Sequence, residues 1–171
     1  MEHTLAAFER LLARLPDDHP CWHYQPDPDW PSPCEAAGRW QPVPRNPAGD
    51  FSNVEQALEL TLHDDIKHYF GRYFIDNLSV HHCRGPVQLL GAWNDQDFAR
   101  LQENIIGHVL MKRRLQQPIT VFIACTDDDS LLISVDNTTG QVVLEPVGQP
   151  AREVLADNLA AFLDSLTESP S

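Results

Sequence analysis

The sequence has no uninterrupted apolar stretch approaching the roughly 18 residues that a bilayer-spanning helix needs; its best run is Ile119 to Cys125. No membrane crossing is expected. Cysteine is sparse, with four residues at 21, 34, 83 and 125 and no CxxC pair, which excludes a disulfide-dense scaffold and fits a reduced, cytoplasmic setting. The opening Met1-Glu2-His3-Thr4 has neither the basic nor the apolar region of a secretory signal, so export is not expected. Lys and Arg are few, 12 against 25 Asp and Glu, and the formal net charge is -13 with the eight histidines neutral. Lys112-Arg113-Arg114 is the one tight basic cluster, so neither nucleic acid nor anionic lipid is an expected partner. The natural complement of such a chain is a basic protein surface. The eight glycines form no Walker or GxGxxG loop, and no Gly-x-Ser-x-Gly is present, so the sequence carries no signature of a nucleotide cofactor or a serine nucleophile.

What is there describes one globular domain over residues 1–171, because 42% hydrophobic residues suffice for a core despite the acidic balance. The acidity is regional: residues 17–35 carry -5, residues 115–171 carry -8, and the rest of the chain is balanced. The prolines are regional too, with nine of 14 between Pro16 and Pro47. Each removes a backbone donor and biases its predecessor toward extended geometry, so residues 16–50 read as a long loop. Trp22, Tyr24, Trp30 and Trp40 punctuate that loop, and such rings pin a segment onto a core rather than leave it trailing. The loop is therefore expected to be ordered.

Leu5, Phe8, Leu12 and Leu15 recur at helical spacing and stop before Pro16. Ser52-Asn53-Val54-Glu55 has the spacing of a capping box, opening helical segments that run to about Phe74. Leu78–Cys83 and Val87–Gly91 flank Arg84-Gly85-Pro86 as a hairpin. Asn94 caps a long helix with the stripe Phe98, Leu101, Ile105 and Val109, ending near Leu115. Strands at Ile119–Ala124, Leu131–Val135 and Gln141–Leu144 follow as a meander, and Pro150 opens a last helix carrying Leu155, Leu159, Phe162, Leu163 and Leu166. Residues 167–171 are expected to fray. Tight turns between strands require antiparallel pairing, so the fold class is α+β: a mostly antiparallel sheet of about five or six strands with flanking helices.

Chemistry-bearing clusters are thin. Cys21, His23, Cys34 and His81-His82-Cys83 tempt a zinc reading, but Cys21/His23 and His81/Cys83 lack the usual two to four intervening residues. No metal and no cofactor is expected. Asp127-Asp128-Asp129 lacks the alternating ligands, glycine and distal glutamate of a calcium loop and reads as a solvated turn. Gly107, inside the long helix, suggests close approach of another backbone, and Asn104 and His108 share a helical face on which they could hydrogen-bond each other.

Gln102-Glu103-Asn104-Ile105-Ile106-Gly107-His108, followed by Pro118–Ala124, strongly resembles the bacterial SecY-interacting Syd family. Pro31-Ser32-Pro33-Cys34, Trp40-Gln41-Pro42, Asn53-Val54-Glu55, Ile133-Ser134-Val135 through Gly140, and Asn158 to Leu163 extend the likeness over nearly the whole chain. The resemblance implies a non-enzymatic binding protein, peripheral to the cytoplasmic face of the inner membrane. It would bind the channel subunit SecY through an acidic concave groove, sequestering surplus or improperly complexed SecY or restraining the translocase. A monomer is expected. Charge counting, rather than a family motif, nominates Asp27, Asp29, Glu35, Glu103, Asp127, Asp128, Asp129 and Asp136 for the partner surface, with Trp30 as an anchor. Two other readings stay open: an immunity-type module with another partner, and a hydrolase using a Cys or His of the Pro-rich loop.

Overall fold

Helix α1 (His3–Arg14) lays Thr4, Ala7, Phe8 and Leu11 into the core and ends before Pro16, as its apolar spacing requires. The computed structural model describes residues 3–169; Met1-Glu2 at the start and Pro170-Ser171 of the expected frayed tail lie outside the described residues. After α1 comes a 3-10 turn at Pro20–Trp22, with proline in its first turn and the His19 ring accepting from the Cys21 amide. Two short ladders follow: β1 (Glu35–Ala36) pairs with β2 (Arg39–Trp40), and β3 (Val43–Pro44) pairs with β4 (Tyr73–Phe74). Helices α2 (Ser52–Leu58) and α3 (Asp64–Gly71) lie between β3 and β4.

The central sheet has six antiparallel strands, β5 (Leu78–His82), β6 (Gly85–Leu89), β7 (Thr120–Thr126), β8 (Leu131–Asp136), β9 (Val142–Pro146) and β10 (Glu153–Ala156), in spatial order β10-β9-β8-β7-β6-β5. Helix α4 (Asp95–Arg114) connects β6 to β7, and α5 (Leu159–Asp164) follows β10. The protein is α+β, with the antiparallel meander that its turns require. Register puts Leu89, Ala124, Ile133 and Leu144 side by side on one face, all buried. Helix α5 packs on that face, where His82 stacks on Phe162 with ring centroids 5.5 Å apart, and α1 packs against α5 and α3. The opposite face carries Thr120, Phe122, Ser134 and Glu145, and α4 covers it.

Several local expectations are corrected. The capping box does not form: Phe51 is the N-cap of α2 without a side-chain bond, the Ser52 amide donates to Asp50 Oδ1, and Glu55 Oε2 instead accepts from the Leu62 amide and Lys67 Nζ. The last helix does not begin at Pro150. The Arg152 amide donates to the Leu144 carbonyl and draws the segment onto the sheet edge as β10, so α5 starts only where Asn158 accepts from the Ala161 amide. Leu155, whose spacing matched a helical stripe, is a strand residue. Gly107 meets no close backbone: a Cβ there would find nothing within 4 Å. His108 bonds Thr120 Oγ1 through Nε2 at 3.0 Å rather than Asn104.

The basic cluster is also dispersed. Lys112 and Glu145 are each 1% exposed and pair at 2.5 Å across the α4–sheet interface. Arg113 donates to the Leu58 carbonyl. Charge counting treats lysine as surface, but its long stem reaches inward here because a carboxylate and two further acceptors await the ammonium.

Candidate functional site

The Pro-rich segment is held to the core by its aromatics. Trp40 is fully buried and its indole N–H donates to the Cys21 carbonyl at 2.6 Å, while Trp22 packs edge-on against it at 5.0 Å. Residues 30–32 are tied to the start of α4 by three bonds: Trp93 Nε1 to the Trp30 carbonyl (3.1 Å), Asn94 Nδ2 to the Pro31 carbonyl (2.7 Å) and Ser32 Oγ to the Trp93 carbonyl (2.5 Å). Asn94 thus serves twice, since its Oδ1 caps α4 by accepting from the Asp97 amide at 2.8 Å. That pinning encloses a cleft of about 340 Å³ between the loop, the end of β6 and the first turns of α4.

Tyr24 and Trp30 form the loop wall of the cleft, Leu90 and Phe122 its floor, and Leu101 and Asn104 its helical wall. Three carboxylates enter it: Asp27 from the loop, Asp76 from the segment before β5, and Asp97 from α4. Burial, reinforced by the charge of Asp97, pushes the Asp76 carboxyl above the usual carboxylate range, opposed by the hydrogen bond it accepts from the Asn77 amide. The single cation on the lining, Arg100, pairs with Asp97 at 2.5 Å and lies 5.5 Å from the Trp30 ring centre. The result is a concave, acidic, partly aromatic surface suited to a cationic side chain.

Of the nominated residues, Asp27 and Trp30 line this cleft, and Asp29 is exposed beside it, its amide bonded to Asp27 Oδ1. Glu103 is exposed on α4 next to Asn104. Glu35 faces inward on the loop, accepting from the Ser32 amide at 2.8 Å and the Tyr24 hydroxyl at 2.9 Å. Asp136 accepts from the Thr138 and Thr139 amides and organises the β8–β9 turn. Asp127, Asp128 and Asp129 occupy the β7–β8 turn, where Ser130 holds the Asp128 carboxyl below its ordinary value through two hydrogen bonds. Asp127 lines a different cavity that shares no residue with the first. The two acidic segments therefore do not merge into one site. Asp76 and Asp97 went unnoticed in the sequence: Asp76-Asn77 looks like turn punctuation and Asp97 like first-turn charge on a helix.

Among the described residues no group of three or more His, Cys, Asp or Glu side chains is arranged to hold a metal ion. Cys34 is buried and its thiol donates to the Phe74 carbonyl; burial raises its pKa, and burial pushes the Cys21 thiol up to about 11. In both, burial disfavours the thiolate, which is the nucleophilic form. The backbone of His81 pairs with Thr167. No helix among the described residues is long and apolar enough to cross a membrane.

Comparison with known proteins gives a consistent result. The family model described as Syd protein (SUKH-2) matches residues 1–168. Protein Syd of Pseudoalteromonas atlantica is 49% identical over 149 residues, covering 82% of this chain and 80% of that protein. Protein Syd of Alteromonas mediterranea is 45% identical over 148 residues, covering 82% of each. Protein Syd of Shewanella denitrificans is 40% identical over 165 residues, covering 95% of this chain and 76% of the relative. With a family model spanning nearly the whole chain and relatives this similar along most of their own length, the chain belongs to the Syd protein (SUKH-2) family.

Proposed function

We propose that this protein is a non-catalytic binding protein that captures the SecY channel subunit at the cytoplasmic face of the inner membrane, docking as a peripheral monomer and withholding surplus or improperly complexed channel. The observation that carries the reading is the acidic cleft, in which Asp27, Asp76 and Asp97 face a single cation already paired with one of them. Cytoplasmic loops of membrane proteins are enriched in Lys and Arg. A chain of net charge -13 is steered toward such loops and repelled by the anionic lipid around them. Family membership supports the same partner, and burial that disfavours the Cys21 and Cys34 thiolates speaks against a cysteine hydrolase.

The test is binding of the purified chain to SecY-containing translocase in detergent, with and without its partner subunits. Asp27→Asn with Asp76→Asn should weaken binding by about tenfold or more. Association should slow as salt shortens the Debye length from about 10 Å at 0.1 M to about 3 Å at 1 M. Asn retains the backbone bond that each Asp accepts, so the melting temperature should stay near that of the parent. Unchanged affinity in a folded double variant, or binding insensitive to salt, would remove the cleft from the interface.

A further inference from the structure

The concave face of the sheet holds a second cavity, of about 180 Å³, whose origin is the curl of the sheet. Arg84, in the β5–β6 turn, pairs with Glu153 on β10, although these belong to opposite ends of the strand order. Helix α5 fills part of the enclosed space, with Phe162 stacked on His82. The end beside the β7–β8 turn is left open, and there Val87, Leu131, Ile133, Leu144 and Leu155 form the walls. The rim carries the Arg84–Glu153 pair on one side and Asp127 and Arg152 on the other.

Size and charge together restrict what fits. An apolar protein cavity of about 150 Å³ accepts benzene, so this one admits a single ring or a branched aliphatic group. On the rim Asp127 and Glu153 balance Arg84 and Arg152, and the negative surplus comes from Asp128 and Asp129, which follow Asp127 in the same exposed turn. His82 adds no positive charge near neutral pH, because burial and the neighbouring Arg84 hold its imidazole below the ordinary value. Asp128 is tied to Ser130, whereas Asp127 and Asp129 flank it and are exposed. An apolar group would bury its surface in the pocket, and a cation attached to it would meet these carboxylates.

We propose that this cavity is an anchor pocket for one Leu, Ile or Phe side chain carried next to a Lys or Arg on a partner protein segment. It is a second recognition point, separate from the acidic cleft and independent of which protein supplies the segment. A buried apolar anchor ringed by polar contacts is how protein interfaces concentrate their affinity. The two cavities then divide the work, with charge read in the first and apolar shape read in the second.

The experiment uses the full, isotope-labelled chain and three small probes with one branched tail and different heads: isoamylamine, isopentanol and isovalerate. Amide shifts in the NMR spectrum should saturate at Val87, Leu131, Ile133 and Leu144. Affinity should fall in the order amine, alcohol, carboxylate, with about tenfold between the extremes at low salt and less at 1 M. Leu131→Phe, placed at the half-buried mouth, should abolish the shifts for all three; Leu155→Phe is the second filling variant should the first prove unstable. Asp127→Asn with Asp129→Asn should preserve alcohol binding and erase the preference for the amine. Absence of saturable shifts at these four amides with every probe would overturn the pocket, and tightest binding by isovalerate would overturn its cationic partner in favour of an anionic one. Neither result depends on SecY, so failure here is distinct from failure of the proposed function.

Discussion

Replacing Lys112 by Met should remove much of the stability margin of this protein, although the side chain belongs to what looks in sequence like a basic surface patch. The ammonium is 1% exposed and makes three contacts: Glu145 Oε1 at 2.5 Å, Gln149 O at 2.9 Å and Gln117 Oε1 at 3.1 Å. Methionine fills a similar volume, so little cavity term enters. The cost comes from the carboxylate left behind. Glu145 is also 1% exposed, its Oε2 already has no hydrogen-bond partner, and the substitution strips the cation from Oε1 as well. Breaking a buried pair in this way costs about 3–5 kcal/mol, against a typical total of about 5–15 kcal/mol. Replacing both residues, Lys112→Met with Glu145→Met, should restore stability to within about 1 kcal/mol of the parent, because the desolvation cost of the pair vanishes with its attraction. Urea unfolding followed by tryptophan fluorescence reads this directly. At a slope of about 2 kcal/mol per molar, the single variant should lower the midpoint by about 1.5–2.5 M. A second readout is His108, whose imidazole is held below its ordinary value by burial first, with Glu145 opposing and Lys112 adding to the effect. Loss of Lys112 should therefore move the His108 titration upward. A single variant with a midpoint within about 0.3 M of the parent would refute the reasoning, as would a double variant as unstable as the single one.

Gly107→Ala should raise stability by about 1 kcal/mol, read as a higher urea midpoint, since the position is exposed and helical and the added methyl meets nothing within 4 Å. Stability should fall as pH drops below the ordinary histidine value of about 6.5, because the unfolded chain takes up protons there before the half-buried His108 and His82 can. Each site contributes a slope of at most about 1.4 kcal/mol per pH unit, and His108→Gln should remove its share between pH 7 and pH 5 in unfolding measured across that range. Trp40→Ala, which deletes a fully buried ring and its bond to the Cys21 carbonyl, should cost about 3–5 kcal/mol. The same change should make residues 16–50 the first region cut in limited proteolysis, whereas the parent loop should resist.

Where a structure is set by neighbours along the chain, the sequence was sufficient. Helix α4 was legible because Asn94 supplies the cap and Phe98, Leu101, Ile105 and Val109 share one face, all of them buried in the fold. The meander was legible because turns as short as that at Asn137–Gly140 leave strands no option but antiparallel pairing. The aromatic pinning of the Pro-rich loop was legible in outline, since side chains as large as Trp22 and Trp40 seek burial. Periodicity misled at Leu155, which keeps helical spacing with Leu159 and Phe162 yet sits on a four-residue edge strand whose identity depends on the neighbouring β9. A count of charges does not register what fixes each one: Lys112 is held by Glu145 across the α4–sheet interface, while Glu35 and Asp136 accept from neighbours in their own loop and turn. The acidic cleft is the clearest case of what tertiary structure alone decides. Asp27, Asp76 and Asp97 are distant in the chain and ordinary in local context, and they converge only because Trp93, Asn94 and Ser32 tie the loop to the start of α4. Net charge, a sum over residues, is written in the sequence; the field that a partner meets depends on distances, and those arise from packing.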